Sequence, residues 1–279
     1  MNNPLRPAAG TGLVLEVTPA SAQWRDLGFS VARFAAGERR TVSSGDREIA
    51  FVPQHGPLSA EVNGQRFDLG RIGPFEQRPN VLYLPPDHEA TFTADGEAEL
   101  AWGSAPAEGR YPLRLFRPDD AHREVRGGGP AVREVHHLLA GDLPAERLIV
   151  FEVYVPGGAW SGWPPHCHDG RQGSAYLEET YYYRIRPHSG FALHRNYTRE
   201  GDLDEIVAVR DGDLMTVRGG YHPVAAAPGS NTYFLNFLAG DLEDEQRAIP
   251  PVDDPDHAWI KDAWDQAPLT LPIEFRPRD

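Results

Sequence analysis

The stretch WPPHCHDG, residues 163–170, holds two histidines two positions apart, His166 and His168. On a strand, positions i and i+2 share a face, so both imidazoles can grip one cation while Cys167 points away. Downstream, EETYYY (178–183) reads as a strand that opens on acids. Glu179, Tyr181 and Tyr183 fall on one of its faces, and Glu178, Thr180 and Tyr182 on the other. A glutamate of this pair, on a strand beside the His-x-His, would supply a third ligand. Gly220-Tyr221-His222-Pro223 places another histidine just after a glycine-rich turn. Three histidines and one glutamate at the mouth of a β-barrel make a metal site with positions left open for water or substrate. The adjacent His136 and His137 would face opposite ways on a strand, which is poor geometry for joint chelation.

The elements that must position these residues are strands. Gly (28) and Pro (26) are abundant in the 279 residues, which favours turns over long helices. Short β-branched or aromatic runs recur at Phe29–Arg33, Glu48–Val52, Val81–Leu84, Arg147–Tyr154, Thr180–Ile185, Ile206–Val209, Leu214–Val217 and Thr232–Leu238. Asn63-Gly64, Asp95-Gly96, Asp211-Gly212 and Pro228-Gly229 punctuate them. The pattern predicts an all-β antiparallel sandwich or barrel, with a short helical segment near Asp256 to Asp265. Shifting the second half back by 133 positions superposes Gly229 on Gly96, Val217 on Leu84 and Glu179 on Asp46, as expected of a duplicated fold. The division falls at Gly127-Gly128-Gly129-Pro130, giving units 1–126 and 131–279. The same shift puts Arg33, Ala35 and Glu89 where His166, His168 and His222 stand, so the first copy would lack ligands.

Composition narrows the function. A net charge of −14 repels phosphate backbones and argues against nucleic acid. The single cysteine excludes an intramolecular disulfide and any multi-cysteine metal site, and fits a reducing cytoplasm. Lys261, the one lysine, lies in a polar segment unsuited to Schiff-base chemistry. No apolar run approaches a membrane span, and MNNPLRPAAG has no secretory h-region.

The ligand pattern resembles the cupin superfamily, in which a first motif carries His-x-His and Glu and a second carries one His after a Gly-containing turn. The first maps onto His166, His168 and Glu179, the second onto His222. The His-to-Glu gap is longer than usual, Arg218 stands where proline is common, and no asparagine follows four residues after His222. PGGAWSGWPPHCHD, YLEETYYYRI, GFALHRNYT, DEIVAVRDGD and GGYHPVAAAPG resemble the IolB-type 5-deoxy-glucuronate isomerases of myo-inositol catabolism. VTPASAQWRDLGF and VLYLPPDHEATFTA extend the likeness to the first half. Cys167 replaces the lysine usual in that family.

The resemblance implies a bicupin, two tandem jelly-roll barrels, with one divalent metal (Zn, Mn or Fe) in the C-terminal one. It implies an aldose–ketose isomerisation through an enediol, from 5-deoxy-D-glucuronate to 5-dehydro-2-deoxy-D-gluconate. Candidates for the base are Tyr181, Tyr183 and His194. Candidates for holding the substrate carboxylate are Arg195, Arg184 and Arg218. Trp160 and Trp163 precede the ligands and would wall a pocket or pack in the core. The implied partner is a small sugar acid, with neither nucleic acid nor membrane; a homo-oligomer is compatible with the sequence. Competing readings are a pectin-pathway uronate isomerase, a non-haem iron dioxygenase, and a non-enzymatic sugar-binding bicupin.

Overall fold

The computed structural model describes residues 3–217, 219–264 and 272. It is all-β. In chain order the first half carries β1 (Gly12–Val17), β2 (Gly28–Phe34), β3 (Arg39–Ser43), β4 (Arg47–His55), β5 (Leu58–Val62), β6 (Gln65–Asp68), β7 (Val81–Leu84), β8 (Glu89–Ala94), β9 (Ala98–Pro106) and β10 (Arg114–Phe116). The second carries β11 (His122–Arg126), β12 (Arg133–Leu139), β13 (Ile149–Val155), β14 (Trp160–Ser161), β15 (His166–Cys167), β16 (Leu177–Arg186), β17 (Ala192–Tyr197), β18 (Asp204–Val209), β19 (Leu214–Val217), β20 (Val224–Ala226), β21 (Asn231–Gly240) and β22 (Val252–Asp253). The predicted turn dipeptides all fall between strands. At Asn63-Gly64, for example, both residues take positive φ (51° and 77°) and close a tight hairpin between β5 and β6.

Each half has a six-stranded and a four-stranded sheet; the smaller sheets share one order, as do five strands of the larger ones, which differ in their sixth, an edge strand. The first has β1-β2-β9-β4-β7-β10 over β3-β8-β5-β6; the second has β11-β12-β13-β21-β16-β19 over β14-β20-β17-β18. Among the described residues no sheet closes on itself; each half is an open two-sheet sandwich. The two six-stranded sheets then pack against each other, so four layers enclose three apolar cores. The central core joins Phe29, Tyr182 and Phe237, with ring centroids 5.6–5.7 Å apart. Approach is so close that a Cβ on Gly103 would lie 2.2 Å from the Phe237 ring.

A reciprocal polar clasp reinforces this contact. The buried Glu48 carboxylate of β4 accepts the backbone N–H groups of Glu146, Arg147 and Leu148 at 2.6–2.8 Å, just before β13. Glu178 of β16 does the same for Arg25, Asp26 and Leu27, just before β2, at 2.6–2.9 Å. Each half thus supplies the carboxylate that satisfies a strand entrance of the other.

Three expectations need correction. The 133-residue offset relates β7 to β19 and β9 to β21, but β2 and β13 start 121 residues apart (149 − 28). Arg33 therefore matches the β13 strand, not the histidine segment. In the first half β3 and β4 are joined by residues 44–46, whereas in the second β14 and β16 are separated by 162–176, the segment that carries His166 and His168. The first half lacks that whole segment. Second, β11, expected in the first unit, is hydrogen-bonded to β12 in the second half's sheet. Third, the terminal helical segment is a single 3-10 stretch, Ala258–Asp262, with Trp259 exposed and Trp264 against Gly128; Asp265 lies outside the described residues. No helix among the described residues is long and apolar enough to cross a membrane.

Candidate metal centre

The histidine segment is too short to pair within a large sheet, so its anchoring comes from elsewhere. β15 pairs with β22, placing His166 opposite Asp253 and Cys167 opposite Val252. The backbone N–H of Asp254 donates to Pro165 O at 2.7 Å, and the Asp254 side chain accepts from Tyr197 Oη at 2.7 Å. Cys167 turns away and packs with Tyr197 and Tyr221. Asp169 ties this segment to the other ligand turn by accepting from Gly220 N–H at 2.8 Å. Gly220 has φ +74°, and a Cβ there would meet Tyr197 O at 2.4 Å, so the turn before His222 requires glycine.

Ligand nitrogens of His166, His168 and His222 lie within 4.8 Å of one another. The Nδ1 atoms of His168 and His222 face the carbonyl oxygens of Leu177 (3.0 Å) and Gly220 (2.9 Å). That arrangement fixes both rings and turns Nε2 inward, as ligating histidines require. Glu179 joins them from β16, its Oε2 lying 2.9 Å from His168 Nε2 and 3.2 Å from His222 Nε2. His222 Nε2 is buried without a hydrogen-bond partner. Burial opposes ionisation of Glu179, but His168 and His222 hold its carboxyl well below the usual range. Burial likewise works against protonated His168, and the Glu179 bond outweighs it, raising that imidazole. Burial, with His222 and His168 alongside, depresses His166 strongly. A compact set of inward nitrogens, one orphaned, around a buried carboxylate fits a divalent cation with N/O preference.

The four side chains sit in a cavity of about 600 Å³, within the range of small-molecule sites. Tyr181 lines it, and so does Trp163; Trp160 instead lies beside Trp163, edge to face. Burial and Glu179 push the Tyr181 phenol well above its ordinary value, so it keeps its proton. Tyr183 and His194 form a buried pair, Oη to Nδ1 at 2.8 Å, outside the cavity lining; the His194 ring meets Tyr181 edge-on at 5.0 Å. Burial brings His194 down to about 3.

The arginine candidates fall elsewhere. Arg195 is spread over Tyr197 and paired with Asp204 on the outer sheet (2.9 and 3.0 Å), because it alternates with the inward His194. Arg184 follows Tyr182 onto the opposite face of β16 and joins Glu99 of the first half. Neither lines the cavity. Arg218 lies outside the described residues. The cavity's cations are Arg126, Arg133 and Lys261 among the described residues, and Asn236 adds an amide. Arg133 carried a readable signal: in REVHH it alternates with Val135 and His137, and all three line the cavity.

A family model described as the KduI/IolB family matches residues 3–260. The chain belongs to the KduI/IolB family. Similar members include proteins named 5-deoxy-glucuronate isomerase from Geobacillus thermodenitrificans (38% identity, 90% of this chain, 92% of the relative) and Bacillus subtilis strain 168 (34%, 90% and 93%). An IolB-like protein from Salmonella typhimurium LT2 superposes with a TM-score of 0.88 at 39% identity, covering 93% of this chain and 99% of that one. An oxalate decarboxylase from Lactobacillus farciminis, at 12% identity and a TM-score of 0.62 over 96% and 97% of the two chains, shares the fold alone.

Proposed function

We propose that this family member is a 5-deoxy-glucuronate isomerase, converting the aldose 5-deoxy-D-glucuronate to the ketose 5-dehydro-2-deoxy-D-gluconate. The observation that carries the reading is the likeness, over 90% of this chain, to proteins of that name, together with the His–Glu cluster inside a sugar-sized cavity. We read each half as one cupin unit, the second catalytic and the first structural. Isomerisation moves a proton between C2 and C1 through an enediol, so charge on two adjacent oxygens must be stabilised and protons shuttled. A divalent cation held by His166, His168, Glu179 and His222 supplies the Lewis acidity when bound. Tyr181, still protonated beside Glu179, donates to a substrate oxygen as the carbonyl changes place. The Tyr183–His194 pair packs behind Tyr181 and orients it, with His194 an uncharged positioning residue. Apolar walls such as Val135, Phe151 and Phe234 exclude bulk water from the enediol. A cytoplasmic setting completes the proposal.

The family description also embraces KduI, which keeps the pectin-pathway uronate isomerase as the second reading. Elemental analysis of the purified protein with parallel assays on 5-deoxy-glucuronate and 5-keto-4-deoxyuronate decides between them. Turnover of the second sugar alone moves the assignment to the pectin pathway. Oxygen consumption without isomerisation would favour the dioxygenase, and metal-free binding without turnover a non-enzymatic role.

A further inference from the structure

We propose that Arg133 is the seat of the substrate's carboxylate, a reading that rests on the sugar-acid isomerase assignment above. Arg133 opens β12 and lines the same cavity as His166 and Tyr181. Among the described residues its side chain makes two hydrogen bonds, 3.4 Å contacts from Nη1 to the carbonyls of Ala131 and Trp163. No carboxylate of the described residues forms an ion pair with it. The acids nearest to it are already committed: Glu124 is held by Arg126 and His137, and Asp253 by Lys261. Arg126 is its direct cross-strand partner, and the Glu124 carboxylate beside that pair is bound to Arg126 rather than to Arg133.

Two fully buried arginines have a fuller set of partners than the half-buried Arg133. Arg71 lies 2.8 Å from Glu152, and Arg247 is held by the carbonyls of Leu148, Leu143 and Asp244. Arg133 has neither arrangement, and burial pushes its guanidinium down to about 10. A planar fork with unused donors on a cavity wall suits bidentate carboxylate binding. A sugar acid whose carbonyl end lies at the His–Glu cluster carries its carboxylate at the far end of the chain, where a separate cation must receive it.

The test compares wild type, R133Q and R133K on 5-deoxy-D-glucuronate and on uncharged 5-deoxy-D-glucose. Binding of D-gluconate to the protein as purified is followed by calorimetry. For R133Q we expect KM for the acid to rise about 30-fold, as for loss of a charge-assisted pair, with kcat within about threefold. Its kcat/KM for the uncharged sugar should be unchanged, its gluconate affinity should fall at least about tenfold, and R133K should recover part of both losses. Wild-type KM and gluconate affinity in R133Q overturn the assignment, as does an equal loss on both sugars, which marks a merely structural role. If wild type fails to isomerise the acid, the isomerase reading fails. Gluconate binding that R133Q weakens still upholds the anion seat in that case, and absence of gluconate binding to wild type overturns it.

Discussion

Glu178 and Glu179 are sequence neighbours on opposite faces of β16, so truncating each to alanine should produce opposite phenotypes. Glu178 accepts three consecutive backbone N–H groups from the first half. Leu27 N is fully buried, and its unsatisfied donor costs about 1–3 kcal/mol. Arg25 and Asp26 are partly accessible and can regain water, so each loses about 0.5–1.5 kcal/mol. Glu178→Ala should therefore destabilise by about 2–6 kcal/mol, a large share of a typical folding free energy. It should leave the metal-ligand set intact in the molecules that fold. Glu179→Ala removes the carboxylate shared by His168 and His222 but no interdomain contact. It should cost the metal-free protein about 1–3 kcal/mol through the lost bond to His168, and fail to retain metal. Urea unfolding of chelator-treated protein, with metal content measured separately, separates the two effects. A wild-type unfolding midpoint for Glu178→Ala, or one tightly held metal per chain in Glu179→Ala, would refute the reasoning.

Three further outcomes follow from the same geometry. His168→Ala should abolish metal retention and turnover while far-UV circular dichroism stays native; a stoichiometric metal in that variant would remove the assigned centre. Gly220→Ala should force the turn away from Tyr197 O, moving His222 and weakening metal affinity by at least about tenfold, as read by chelator competition; an unchanged affinity counts against the turn's role. His194 is neutral in the fold down to about 3, against 6.5 for an ordinary imidazole. A depressed value means its contribution is complete above about pH 6.5 and is lost as pH falls towards 3, at up to about 1.4 kcal/mol per pH unit. His194→Gln should flatten that part of the stability profile; identical acid slopes in the two proteins would exclude His194 as the source.

Local periodicity was legible before any coordinates. Val81–Leu84 and Leu214–Val217 are strands with the expected bounds, and the alternation along residues 178–183 separates the metal-facing side of β16 from its clasping side. Such patterns are visible because strand pleating repeats every two residues, whatever the strand packs against. The same rule, applied to Arg184 beside Tyr182 and to Arg195 beside His194, would have turned both away from the metal, and would have made Arg133 a companion of Val135. What no local rule could reach is the clamp on the histidine segment, because β22 starts 85 residues after β15 ends (252 − 167) and pairs through only two positions. The reciprocal Glu48 and Glu178 clasps, and the sharing of one cavity by β12, β15, β16 and the chain near β22, are likewise settled by long-range packing. The residues declared which groups could bind a cation. The fold alone decided which of them meet, and which arginine in the cavity has no acid paired with it among the described residues.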